Sequence, residues 1–135
     1  MIYIADDTPV NLELYKSVLD NFEIKTFLNG TDLLKAIDEK TPKLIILDYN
    51  MPELSGIETL KEIRKTLKGI PVIMCSAENI NDFREDAQKY NVIDIINIPI
   101  RTSDFLDTVK VALGDMDSFE KLAKLTKKLP FYNGK

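Results

Sequence analysis

Leu44-Ile45-Ile46-Leu47-Asp48 is an unbroken apolar run ending on a carboxylate, and the reading of that run decides the fold. A strand with one wet face alternates apolar and polar residues, whereas a continuous run this short suits a strand covered on both faces. Val72-Ile73-Met74-Cys75 repeats the pattern downstream. Apolar runs at 2–5, 24–28 and 92–96 bring the count to five, and helical patterns alternate with them. Regular strand and helix alternation is the mark of an α/β chain winding around an open, doubly wound parallel sheet.

The helical segments carry apolar residues three and four apart. The first holds Val10, Leu14 with Tyr15, Val18 with Leu19, and Phe22, which predicts a core-facing stripe on those residues. The second holds Leu33, Leu34 and Ile37, and the third Leu60, Ile63 and Leu67. Start signals precede them: Thr8 as cap with Pro9 at the first helical position, Thr31 after Gly30, and Ser55. Pro42, Pro71 and Pro99 stand at or beside strands, where they separate units. A fifth helix is predicted over 102–113. After Gly114-Asp115 a sixth is predicted over 118–128, with Met116, Phe119, Leu122, Ala123, Leu125 and Leu129 on one arc and Lys121, Lys124, Lys127 and Lys128 on the other. The division is therefore a core domain at 1–114 and a basic amphipathic extension at 115–135. Docking on its own domain, dimer contact, a stalk to another unit and membrane-surface attachment are the roles open to that helix.

Composition removes several function classes. At 135 residues, 44% hydrophobic and 30% charged, the chain has the balance of one globular domain. No apolar run approaches the roughly 20 residues of a membrane helix. The start of the chain reaches Asp6-Asp7 without a basic leader, so a cytoplasmic location is expected. There is no histidine, which excludes Ser-His-Asp and Cys-His catalysis and histidine zinc sites. Cys75 is alone and lies within an apolar run, as a core residue would. A net charge of -4 argues against direct nucleic-acid binding. That charge is uneven: up to Asp117 there are 13 Lys and Arg against 21 Asp and Glu, and from Ser118 onward 5 against 1.

In an open parallel sheet, ligands bind outside the C-terminal ends of the strands. The residues standing there are Asp6-Asp7 after the first strand, Asp48 after the third, Ser76-Ala77 after the fourth and Asn97-Ile98-Pro99 after the fifth. Three converging aspartates repel one another unless a cation is present, and an all-oxygen set suits Mg²⁺. Asp48 is then the candidate nucleophile toward phosphorus, and Ser76 a candidate hydroxyl donor to a phosphoryl oxygen. Strand-end aspartates and serines also serve as ordinary helix caps; joint placement is what favours a site.

Taken together, 2–11, Leu47-Asp48-Tyr49-Asn50-Met51-Pro52-Glu53-Leu54-Ser55-Gly56 and Pro71-Val72-Ile73-Met74-Cys75-Ser76-Ala77 resemble the response-regulator receiver family in order and spacing, over about residues 1–113. The resemblance implies a flavodoxin-like fold with strand order 2-1-3-4-5 and phosphorylation of Asp48 in a two-component relay. It implies Mg²⁺ held by Asp7 directly, Asp6 largely through water, Asp48, and the backbone carbonyl of Asn50. Ser76 is implied to contact the phosphoryl group. The implied donor is a histidine kinase or phosphotransfer protein, with the last helices left for a homodimer or a downstream protein.

The chain departs from the family in two places. Receivers usually carry a lysine just before the proline that follows the fifth strand, where this chain has Ile98, and often an aromatic switch residue where it has Ile95. An alternative is therefore a phosphorylation-independent interaction module, and Arg101 is a candidate replacement cation. Two other classes fit less well. A haloacid-dehalogenase phosphatase wants an aspartate where Asn50 stands, and a flavin carrier would be repelled by Asp6-Asp7.

Overall fold

The computed structural model describes residues 1–114, so the predicted sixth helix and the extension from 115 lie outside the described residues. The chain runs β1 (Ile2–Ala5), α1 (Pro9–Val18), β2 (Ile24–Phe27), α2 (Gly30–Glu39), β3 (Leu44–Asp48), α3 (Gly56–Thr66), β4 (Val72–Ser76), a 3-10 turn (Ile80–Asp82), α4 (Arg84–Lys89), β5 (Asp94–Asn97) and α5 (Thr102–Ala112). The five strands are parallel in the order β2-β1-β3-β4-β5. Reversal of the winding direction after β2 puts β1 and β3 side by side, and it is outside the carboxyl ends of such strands that open α/β sheets bind ligands.

The two faces of the sheet carry separate apolar layers. Alternate residues Ile2, Ile4, Leu44, Ile46, Ile73 and Cys75 pack with Leu12 and Tyr15 of α1 and Phe105 and Val109 of α5. Their neighbours Tyr3, Ala5, Ile45, Leu47, Met74 and Ile95 pack with α2, α3 and Ala87 of α4. Continuous hydrophobicity in β3 and β4 follows from this, because each successive side chain enters one layer or the other and none reaches water. Cys75 is buried in the first layer, and burial pushes its thiol up to about 12, so it stays an inert core residue.

Several local expectations are corrected. Val10 is 76% and Leu14 40% exposed; the buried side of α1 is Leu12, Tyr15 and Leu19. The mixed pattern of α1 allowed two overlapping arcs, and docking selected the one carrying the large Tyr15, which contacts Phe105 at 5.6 Å between ring centroids. Thr8 occupies the cap position of α1 but makes no side-chain cap bond. In α2 the cap is Asn29, whose side chain accepts from the Asp32 N–H at 2.7 Å, so the helix begins at Gly30 ahead of Thr31. Ser55 caps α3 as predicted, in a reciprocal box with Glu58 that contributes about 1 kcal/mol. β2 ends at Phe27, leaving Leu28 exposed, and β5 begins at Asp94, two residues later than predicted.

Candidate functional site

Strand register brings the acidic residues together. Ala5 pairs with Leu47, so the residues that follow, Asp6 and Asp48, leave the sheet on the same edge. Asp6 is buried and its carboxylate accepts from the Thr8 N–H at 2.8 Å and from Asn11 Nδ2 at 3.2 Å, two bonds that fix its direction. Burial outweighs these bonds and raises its pKa. Asp7 is exposed and accepts a long bond from the Thr8 hydroxyl at 3.5 Å. Asp48 is buried at the end of β3, and burial, then the charges of Asp6 and Asp7, push its carboxyl up to about 7. One carboxylate oxygen from each of the three lies within 4.8 Å of the others. Among the described residues this is the one such acidic cluster. A set of hard oxygen donors at that separation, repelling one another, fits a divalent cation of the magnesium type.

The remaining predicted residues flank the cluster. Asp48 pairs with Cys75 across β3 and β4, which sets Ser76 one residue further along the neighbouring strand. Ser76 is buried, and its Oγ accepts from the Glu78 N–H at 2.8 Å. That bond uses an acceptor lone pair and leaves the hydroxyl proton for another partner. The Asn50 side chain donates from Nδ2 to Glu78 at 2.9 Å. Gly56 is required at the base of the loop: a Cβ there would run into the Asp48 carbonyl oxygen and approach the Tyr49 Cα to 2.9 Å, while its own N–H donates to the Tyr49 carbonyl at 2.7 Å. Glu53, in the same loop, holds a left-handed backbone with φ of 68°, an uncommon conformation for a residue with a Cβ. Sequence reasoning missed Glu78 and the stacking of Tyr49 on Phe83, ring centroids 3.9 Å apart. Both contacts span about thirty residues, and no local pattern announces them.

A family model described as the response regulator receiver domain matches residues 2–110, nearly all of the described chain and the whole of the sheet. The chain belongs to the response regulator receiver family. Receivers are signalling modules of two-component systems. Among curated relatives, the polar-differentiation response regulator DivK of Brucella anthropi is 30% identical over 118 residues, covering 84% of this chain and 96% of that protein. A transcriptional regulatory protein, the CpxR homolog of Haemophilus influenzae, is 32% identical over 114 residues, and there the chain spans about half of the relative's length, 49%. The crystal structure of the receiver domain of NtrX from Brucella abortus superposes with a TM-score of 0.78 at 26% identity, covering 84% of this chain and 98% of that one. A CheY-like receiver from Methanospirillum hungatei gives 0.79 at 21% identity, covering 89% and 96%, a likeness that speaks for the fold alone.

In this receiver the C-terminal end of β5 and the residues just after it carry no charge, where the ends of β1 and β3 are acidic. Ile98 donates its N–H to the Ser76 carbonyl at 2.8 Å, and its side chain packs on the layer shared by α1 and α5. Ile95 is buried in the opposite layer together with Phe83. Arg101, the candidate replacement cation, has an 88% exposed side chain whose guanidinium lies 3.8 Å from Asp104 in the first turn of α5. No helix among the described residues is long and apolar enough to cross a membrane.

Proposed function

We propose that the receiver accepts a phosphoryl group on Asp48 in a magnesium-dependent reaction, with a histidine kinase or phosphotransfer protein as donor. The observation that carries this is the convergence of the Asp6, Asp7 and Asp48 carboxylates within 4.8 Å, with Asp48 pushed to about 7 by burial and by its two acidic neighbours. Such a cluster is unfavourable unless positive charge enters it. Asp7, Asp48, the Asn50 backbone carbonyl and Asp6 through water would hold the ion. When bound, Mg²⁺ neutralises the carboxylates and the phosphoryl oxygens.

The chain's own residues supply the rest. An Asp48 carboxylate oxygen attacks phosphorus, the bond from phosphorus to the donor atom breaks, and an acyl phosphate results. Ser76 donates its free hydroxyl proton to a phosphoryl oxygen while its Oγ keeps the Glu78 N–H. Asp6, fixed by Thr8 and Asn11, holds its charge in place without rearrangement. Gly56 lets α3 begin against the Asp48 backbone and so fixes the acceptor's position.

The uncharged end of β5 favours a second reading, a receiver that works as an interaction module without phosphorylation. One experiment separates the two. Incubation with acetyl phosphate and Mg²⁺, followed by intact mass measurement, is expected to add one phosphoryl group to the wild type and none to Asp48→Asn. Absence of the adduct at every donor concentration would leave the interaction module as the function.

A further inference from the structure

Two residues follow Asp48 directly, and each makes a bridge to the segment between β4 and α4. Tyr49 stacks on Phe83, with ring centroids 3.9 Å apart and ring planes 10° from parallel. Asn50 donates to Glu78 at 2.9 Å. The bridged segment is short and jointed: the Glu78 N–H bonds to Ser76 Oγ, Asn79 caps the 3-10 turn by accepting from the Asn81 N–H at 3.0 Å, and Phe83 is the seam between that turn and α4. The Phe83 N–H donates to the Ile80 carbonyl at 3.1 Å and its carbonyl accepts from Ala87 at 3.0 Å. Its ring is buried in the layer that also holds Ile95.

Tyr49 and Asn50 are joined to Asp48 through the backbone, and the Tyr49 N–H donates to the Cys75 carbonyl at 2.8 Å. Converting the Asp48 carboxylate to an acyl phosphate changes the size and charge of the group these two residues adjoin. Tyr49 and Asn50 are therefore the first residues to feel the change, and both already touch the 78–83 segment. A close-packed ring pair transmits a displacement because its neighbours leave it no slack. Ile95 has only apolar packing and no hydrogen-bonding tip with which to follow the pocket.

We infer that the Tyr49–Phe83 stack couples the state of Asp48 to the 78–83 segment and α4, and that Phe83 is the residue through which α4 reads the pocket. The inference rests on the phosphoacceptor reading. The experiment is hydrogen–deuterium exchange over residues 78–89 with Mg²⁺, with and without beryllofluoride as a phosphoryl mimic, with binding followed separately by fluorine NMR. Wild type, Tyr49→Phe and Ile95→Val are expected to show the same exchange change on binding. Phe83→Leu is expected to bind the mimic and lose the change. If Phe83→Leu does not fold, Tyr49→Leu is expected to lose the change in the same way. Undiminished change in these variants, or its loss in Ile95→Val alone, overturns the coupling and leaves the phosphoacceptor reading standing. Failure of wild type to bind beryllofluoride overturns that reading and the coupling with it.

Discussion

The C-terminal ends of β3 and β5 lie on the same edge of one sheet, yet they are built from opposite chemistry. β3 ends on a buried carboxylate, followed by a loop in which Gly56 lies so close that a methyl group cannot be added. β5 ends in Asn97, Ile98 follows it, and the surrounding isoleucines belong to the apolar layers. The β3 end is thus tightly specified by the Gly56 contact, while the β5 end is given over to packing. On the proposed reading, accepting a phosphoryl group and responding to it rest on different strand ends of one sheet.

The β3 edge is expected to break most severely. Gly56→Ala drives a methyl group into the Asp48 carbonyl, and backbone cannot swing aside as a side-chain tip can. A loss of about 3 kcal/mol is expected in denaturant unfolding, the upper part of the range for overpacking. A loss below about 0.5 kcal/mol would mean the loop is not pinned and the contrast between the edges is overstated.

Asp94, at the start of β5 and so at the far end of that strand from the site, tests the packing of β5 through pH. Burial pushes its carboxyl up to about 6, against the opposing pull of the Ile95 N–H and of Arg84. With a folded pKa above the unfolded value, the folded state binds more protons between the two. The associated stability is therefore present below about pH 4 and lost as pH rises through about 6. Asp94→Asn should remove that slope, worth on the order of 2 kcal/mol, in melting curves taken across this range and compared with wild type.

Ile98→Lys asks whether charge at the β5 edge is all that is missing. An ammonium there should lower the Asp48 pKa and speed adduct formation from acetyl phosphate about tenfold, the value of one charge-assisted hydrogen bond. No change in rate would show that the apolar packing of this edge, and not the absent charge, sets its behaviour. The smallest effect is expected for Arg101→Ala. Its exposed contact with Asp104 lies at the weak end of surface ion pairs, so phosphorylation and metal affinity should stay within about twofold of wild type.

The sequence revealed these regions unequally. The sheet was legible because β3 and β4 are buried on both faces and therefore continuously apolar, and because Asp6, Asp48 and Ser76 each follow an apolar run directly, with Asp7 next to Asp6. The face of α1 was legible in part: Tyr15, Val18, Leu19 and Phe22 pack on the core as their spacing predicts, but Val10 and Leu14 are exposed and Leu12 is buried instead, a choice that only docking on the sheet makes. Bridges such as Asn50 to Glu78 and Tyr49 to Phe83 were also hidden, since they depend on where two loops meet. The departures at Ile95 and Ile98 were visible at once, but the turning of Arg101 toward Asp104 required coordinates.

The most direct test of the central claim locates the phosphoryl group. Borohydride reduces the acyl phosphate of an aspartate to homoserine, so reduction of freshly phosphorylated protein followed by peptide mass mapping identifies the acceptor. Homoserine at position 48 alone, dependent on Mg²⁺ and absent when phosphodonor is omitted, is the predicted result. Homoserine at another carboxylate, or none after phosphodonor treatment, would contradict the account.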